Sequence, residues 1–569
     1  MFQVNKTNKL FPVTIALIPI LIWVLVILYY SVDLPWLDDF DPFPDFLHKW
    51  IGAPSLSEQV KLLFQPNNEH RMVVGKLVTL GYYWITGKLN FTFLHIAGAC
   101  FTLGTLVIFW RVFRQTKLNI WYFLPIPFLL FQLQYHLVFL WAICSLQHQP
   151  VVLFVCSSMY LLANKRFTLA ALSGLCATYA MSSGIFVWPA GIMVLLLSGR
   201  YKQLAVWCLI AVAGVGLYFY GMSAQGNESS FEFFAKYPHL SFLGFFAFLG
   251  GLFDLFPEKS IQVRTALPIL MSFLIMVWIV RWLWRLFSDW TNKTFGWPKR
   301  TSGRFGENVE NEYSPVQMFL LGVITFLLVN AIIIGLLRPR FGFFVMVVSN
   351  YKMYPALFLI AAYLTFITSN LVETRRKLVF RAAFGISMLI WIISAINYLP
   401  VISERSKYLT VNGYNQEFNG FGLGHVPFSA GAAYVDSLMK EMVEMGVYQY
   451  PAGGRKIAQQ VNGPNAKQAN AHILVKDEDK QIYINDPAGS ISLSKDKGEY
   501  VFLKNPERTY LFKIEQKKYV GRNIFRQYEK GADIVIPYSS VLSGSYDIGI
   551  IRTDNTVPEG GILRKIIIP

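Results

Sequence analysis

The chain has 569 residues, of which 54% are hydrophobic and only 15% charged, with a mean hydropathy of +0.41 and a net charge of +17. A soluble chain of this length carries about a quarter charged residues, so the composition excludes an ordinary soluble protein and predicts a polytopic α-helical membrane protein. The Lys and Arg excess collects in short loops between apolar runs, the positive-inside pattern, which argues against a nucleic-acid partner.

In chain order, the first apolar run covers about residues 10–30, follows Lys6 and Lys9, and has no small-residue cleavage site after it. It reads as an uncleaved first span, placing the following polar stretch outside the cytoplasm. That stretch opens the first outer loop, 31–90. Five carboxylates, Asp33, Asp38, Asp39, Asp41 and Asp45, fall within 13 residues of it. Residues 56–65 and 70–87 read as helices lying in the outer interface. A crossing at 72–88 would carry Arg111, Arg114 and Lys117 to the outside, against the charge rule.

Later spans are expected near 91–110, 119–134, 147–163, 167–181, 184–199 and 203–221, then 264–287, 315–337, 352–369 and 382–399. With the first they make about eleven. An outer loop is expected over 222–263. After Pro400 the composition turns polar. An amphipathic helix is expected near Ala432–Met445, followed by short alternating runs, such as HILVKDEDKQIYIND and YDIGIIR, separated by turn residues. These predict a small β-sandwich outside the cytoplasm. The chain therefore divides into a membrane part, 1–400, and an extracytoplasmic, mainly-β domain, 401–569.

Four constellations carry candidate chemistry. A carboxylate of the acidic loop, set at the lipid boundary, suits a general base whose pKa is raised by low dielectric or a like charge. A solvated outer loop is the plain alternative. Asn68-Glu69-His70-Arg71 opens an otherwise apolar helix, with Arg71 suited to phosphate and Glu69 or His70 to orienting a substrate. Arg338, Arg340 and Lys352, with Tyr351 beside them, are basic residues expected on the outer side. Arg grips phosphate through a bidentate fork, and Lys acts as a point charge. Gln132, Gln134, His136, Gln147, His148 and Gln149 suggest either a polar cavity or interhelical hydrogen bonding. The five cysteines, Cys100, Cys144, Cys156, Cys176 and Cys208, lack metal-ligand spacing and read as buried thiols. No P-loop, GxSxG or HExxH pattern occurs, so a nucleotide-driven pump and a zinc protease have no sequence support.

The acidic motif Leu37-Asp38-Asp39-Phe40, the interfacial helices after it and the many short spans resemble the GT-C superfamily of membrane glycosyltransferases. That superfamily includes protein O-mannosyltransferases and the lipid A aminoarabinose transferase. The NEHR segment and the basic-Tyr element before a late span add to a resemblance that covers roughly residues 10–400. It implies a glycosyltransferase at the outer face of a bacterial inner membrane, with a polyprenyl-phosphate sugar as donor and a glycan, lipid or protein hydroxyl as acceptor. The catalytic base it implies is Asp38 or Asp39. Many members carry Asp-Glu where this chain carries Asp-Asp, so the choice stays open. Arg71, Arg338, Arg340 and Lys352 would hold the donor phosphate. Glu69, His70, Tyr351, Gln134 and His136 would line the substrate. The resemblance fixes no cofactor, and a divalent metal stays open, since Asp38, Asp39 and Glu69 are hard oxygen ligands. The main rival reading is a transporter or flippase for a lipid-linked glycan. Such a protein places ionisable groups at mid-membrane between repeated halves.

Overall fold

The computed structural model describes residues 10–67, 70–222, 228–295, 313–461, 472–495, 497–523, 525–553 and 559–569. Among these, eight helical segments are long and apolar enough to cross a membrane: Leu10–Tyr30, Phe91–Gln115, Ile120–Leu140, Ala142–Ala163, Tyr201–Phe219, Ile261–Asn292, Pro315–Leu337 and Glu373–Asn419. Phe167–Ala180, Ser182–Leu197 and Pro238–Leu249 are shorter apolar helices. The chain is thus a mainly helical membrane protein with a β-rich C-terminal region. Helix Leu10–Tyr30 leaves Leu17, Leu21 and Leu25 exposed while burying Trp23 and Ile27. An apolar face left open in this way suits lipid and would be unfavourable in water.

The span expected at 119–134 is present as the apolar segment Ile120–Leu140, built of short turns and helices and not of one continuous helix. Pro125 and Pro127 supply no N–H, and Gln132 is extended, so continuous helix is lost there. Residues 222–263 are not merely a loop, for they contain helices Glu228–Lys236 and Pro238–Leu249. Nor does the last membrane helix stop near Pro400. It runs unbroken from Glu373 to Asn419 and ends only at Gly420, in the left-handed conformation that favours glycine.

Beyond it, Ser429 caps helix Ala430–Glu444 through the Ala432 N–H. Two four-stranded antiparallel sheets follow. In the first, β1 (Leu474–Glu478), β2 (Gln481–Asp486), β6 (Tyr528–Pro537) and β5 (Glu515–Lys518) lie in the order β1-β2-β6-β5. In the second, β3 (Glu499–Lys504), β4 (Thr509–Lys513), β7 (Gly544–Arg552) and β8 (Glu559–Ile568) lie in the order β4-β3-β7-β8. Ile482 and Ile536 of the first sheet share a buried cluster with Val501, Leu503, Ile548 and Ile566 of the second, as a sandwich requires.

The long helix docks directly on this domain. Asn415 Nδ2 donates to the Leu511 carbonyl (2.7 Å) and its Oδ1 accepts from the Leu511 N–H (3.1 Å), while Asn419 donates to the Thr509 carbonyl. A side-chain amide so completes the open edge of β4, which would otherwise present unpaired backbone groups.

One end of the bundle gathers the first loop, the break near 131–141, the 250–260 turn and the C-terminal region. Leu89 donates its N–H to the Val447 carbonyl and the Tyr448 hydroxyl donates to the Asp33 carbonyl. Lys259 Nζ reaches the Tyr519 and Arg526 carbonyls.

Candidate functional site

The acidic loop divides its carboxylates between anchoring and exposure. Asp33 Oδ1 accepts from the Phe91 N–H and Oδ2 from Asn90 Nδ2, both at 2.6 Å, fixing the start of helix Phe91–Gln115. Burial pushes the Asp33 carboxyl up to about 6. Asp39 is 1% exposed. Its Oδ2 accepts from the Trp36 N–H at 2.9 Å, and its Oδ1 from the Ile143 N–H at 2.7 Å, at the first turn of helix Ala142–Ala163. It thus caps a distant helix whose first N–H groups lack intrahelical partners. Burial pushes the Asp39 carboxyl up to about 8, against the opposing pull of those two N–H groups and of Arg405. Asp38, one residue earlier, is exposed, with its carboxyl also raised by partial burial.

A backbone feature produces this split. Leu37 has φ +49°, in the left-handed region that bulky L residues avoid. It is held there by a 2.8 Å bond from its N–H to the Leu423 carbonyl. Gly424 lies so close that a Cβ on it would come 2.8 Å from the Leu37 Cα. The C-terminal region therefore clamps the turn that faces Asp38 outward and Asp39 inward. Beside them, Asp45 pairs with Lys49 at 2.6 Å and accepts from the Tyr434 hydroxyl.

Aromatic and cationic groups border the loop. The Trp36 and Trp141 rings lie 4.8 Å apart, and Trp141 Nε1 donates to the Trp36 carbonyl. The Arg405 guanidinium stands 4.5 Å over the Trp36 ring and donates to the Leu140 carbonyl at 3.1 Å. Sequence reading missed Arg405 because it lies beyond Pro400, where the polar composition assigned it to another domain. Only the continuity of the helix brings it to this site.

The proposed phosphate residues do not share one place. Arg71 is buried, and its guanidinium donates to the carbonyls of Tyr218, Tyr220 and Phe64. Lys76, also buried, donates to the Leu62 (3.0 Å) and Gln65 (2.8 Å) carbonyls. Both cations complete the carbonyl end of helix Leu56–Phe64, where positive charge is favoured. Burial, then Arg71, lowers the Lys76 ammonium to about 7. Arg71 is accordingly a brace between that helix and the end of Tyr201–Phe219, with its donors turned to protein carbonyls. His70 pairs with Asn67 through backbone bonds, while Glu69 lies outside the described residues. Arg338 and Arg340 stand over the Phe341 ring, and Arg340 donates to Ser229.

Lys352 lies in a different group. It is 1% exposed, and its Nζ pairs with Asp254 Oδ2 at 2.8 Å. It also donates to the Tyr398 hydroxyl (2.5 Å) and Gln134 Oε1 (3.3 Å). Arg264 pairs with the same Asp254 oxygen at 2.8 Å. Burial raises the Asp254 carboxyl, but Lys352 and Arg264 outweigh it and hold the group below the usual carboxylate range. Gln134 Nε2 donates to the Leu252 carbonyl, and His136 Nδ1 lies 3.3 Å from Ser349 Oγ. The Tyr351 ring packs near those of Phe248 and His148. Gln134, His136, Tyr351 and Lys352 thus lie together, around an ion pair of the protein's own. Asp254 and Tyr398 gave no signal in the sequence beyond being polar groups in apolar runs. Of the Gln and His residues, Gln134, Gln149 and His148 hydrogen-bond between segments of the bundle, the interhelical alternative, while Gln132 donates to the Phe128 carbonyl four residues earlier in its own segment.

No protein family, curated protein or solved structure matches the chain. Among the described residues no three His, Cys, Asp or Glu side chains group as a metal site. Asp39, offered as a metal ligand on sequence grounds, turns both oxygens to backbone N–H groups.

Proposed function

We propose that the protein is a glycosyltransferase that moves a sugar from a polyprenyl-phosphate donor to an acceptor hydroxyl at the outer face of a membrane. The observation that carries this reading is the Leu37 turn, a strained residue clamped from the C-terminal region that leaves Asp38 exposed beside a rigidly held Asp39. Strain of this kind collects at working sites, where surrounding structure over-determines it. In this reaction Asp38 takes the proton of the acceptor hydroxyl as that oxygen attacks the anomeric carbon. The bond from that carbon to the phosphate oxygen breaks, and the phosphate leaves with the electron pair. Partial burial raises the Asp38 carboxyl, the direction that suits proton abstraction. The tilted Trp36–Trp141 pair gives partly exposed aromatic surface beside the loop for a sugar ring, one face of Trp36 being covered by Arg405, and Asp39 keeps the loop in register.

The rival reading, a transporter or flippase for a lipid-linked glycan, draws support from the buried Asp254–Lys352–Arg264 group amid broken helices. The experiment that separates the two is transfer by purified protein from a panel of polyprenyl-phosphate sugars, beside translocation of the same lipids in proteoliposomes. Glycosyl transfer supports the enzyme. Translocation with no transfer contradicts it.

A further inference from the structure

The loop joining β5 to β6 has a composition that the sandwich does not need. Its tip, Tyr519 to Arg526, is closed by the Tyr519 N–H donating to the Gln527 carbonyl at 2.9 Å. Val520 is 93% exposed and Phe525 72%, although both are apolar. Arg522 and Arg526 are exposed beside them, and the stretch contains no carboxylate.

The base of this loop is fixed to the membrane part. Lys259 Nζ donates to the Tyr519 and Arg526 carbonyls at 3.1 and 2.9 Å and stands 4.9 Å over the Tyr519 ring. The Phe256 and Phe525 rings are 5.7 Å apart, and Glu258 pairs with Lys518 at 2.8 Å. Two residues after Lys259, at Ile261, a helix begins that is long and apolar enough to cross a membrane. Its early turns leave Val263, Leu267 and Leu270 exposed. The loop therefore lies level with the mouth of a lipid-facing helix.

We propose that Tyr519–Asn523 with Phe525 and Arg526 form a membrane anchor, with Val520 and Phe525 entering the bilayer interface and Arg522 and Arg526 meeting anionic lipid headgroups. Large apolar side chains exposed beside Arg, here Arg522 and an Arg526 that rests on the Tyr519 ring and donates to the Tyr528 carbonyl, have the make-up of interfacial binding elements. Basic groups near an anionic surface gain electrostatic attraction that zwitterionic lipid does not give. The Lys259 clamp sets the depth, so the β-domain is held on the surface at two points, the long helix and this loop. The proposal does not depend on the glycosyl-transfer reading.

The test uses the full chain in nanodiscs, with Cys100, Cys176 and Cys208, the three cysteines that are not buried, replaced by Ala. Either Val520→Cys or Leu474→Cys then carries an environment-sensitive fluorophore. Leu474 is 58% exposed and lies on β1, the strand of that sheet farthest from β5. The expected result is quenching of the 520 fluorophore, and not the 474 fluorophore, by lipid-borne quencher. That quenching is expected to be stronger in discs containing phosphatidylglycerol than in phosphatidylcholine alone, and the difference to vanish in Arg522→Glu/Arg526→Glu. A 520 fluorophore quenched only by a water-soluble quencher overturns the proposal, as does equal lipid quenching at both positions. Quenching at 520 that ignores lipid charge overturns the headgroup role of the two arginines.

Discussion

Asp38 and Asp39 are adjacent in the chain and opposite in circumstance, and substitutions should separate them. Asp39→Ala leaves the Trp36 and Ile143 N–H groups without their acceptor, a loss of about 1–3 kcal/mol for each buried group. It is expected to lower the thermal midpoint clearly, whereas Asp38→Asn leaves it unchanged. Asp39 also gives a sign for pH. Its native pKa, about 8, lies above the ordinary carboxylate value, so the fold favours the neutral acid. The stability this group contributes is complete below the ordinary carboxylate pKa and is lost as pH rises through 8. The thermal midpoint of the wild type should therefore fall relative to that of Asp39→Asn between about pH 5 and about pH 9. Parallel curves would show that Asp39 does not titrate in this range. Arg71→Ala removes a buried guanidinium and leaves the Tyr218, Phe64 and Tyr220 carbonyls without its N–H donors, which is expected to cost about 3 kcal/mol or more in detergent unfolding. Donor affinity among the molecules that remain folded is expected not to change.

Elements act here mainly through their ends and breaks. The Leu37 turn is a backbone constraint, so Leu37→Ile, which keeps volume but adds a β-branch, should destabilise by about 1 kcal/mol or more and reduce transfer. A silent Leu37→Ile would remove strain from the account. The break at 131–141 brings Gln134 and His136 to the Asp254–Lys352 pair, and this pair should show strong coupling. Asp254→Leu leaves buried Lys352 and half-buried Arg264 uncompensated, a loss of about 3–5 kcal/mol, and adding Lys352→Met should recover part of it. Additive effects of the two changes in unfolding would contradict the coupling.

At this scale sequence and structure can be compared element by element. Long apolar helices such as Phe91–Gln115 and Pro315–Leu337 were legible because periodicity and length suffice to identify them. Leu56–Phe64 and Val73–Thr86 were legible from charge placement, and the strands of the sandwich from alternation. Arg71 and Lys352 misled as phosphate ligands, since sequence shows a cation but not whether protein carbonyls or a carboxylate already hold it. Arg405 and Asp254 were missed because their roles come from packing between segments hundreds of residues apart.

In the whole molecule, the composition boundary at Pro400 is not a mechanical one. Helix Glu373–Asn419 crosses it, and the first loop rests on residues beyond it through Leu423, Val447 and Tyr448. A chain ending at residue 400 should therefore lose the order of the 31–90 loop, seen as rapid proteolysis there. A chain ending at residue 461 keeps those three contacts and should protect the loop better. Equal cleavage of both would contradict a shared structure. The same coupling explains why an exposed acid can be held at the mouth of a lipid-facing bundle. The clamp comes from one domain and the capped helix from the other.

Whether Asp38 is the base is tested most directly by turnover of Asp38→Asn beside Asp39→Asn in the polyprenyl-phosphate sugar transfer assay. If Asp38 is the base, Asp38→Asn loses kcat by about 100-fold or more with donor KM and thermal midpoint unchanged. For Asp39→Asn a change mainly in stability is expected. Full turnover by folded Asp38→Asn protein would contradict that role for Asp38.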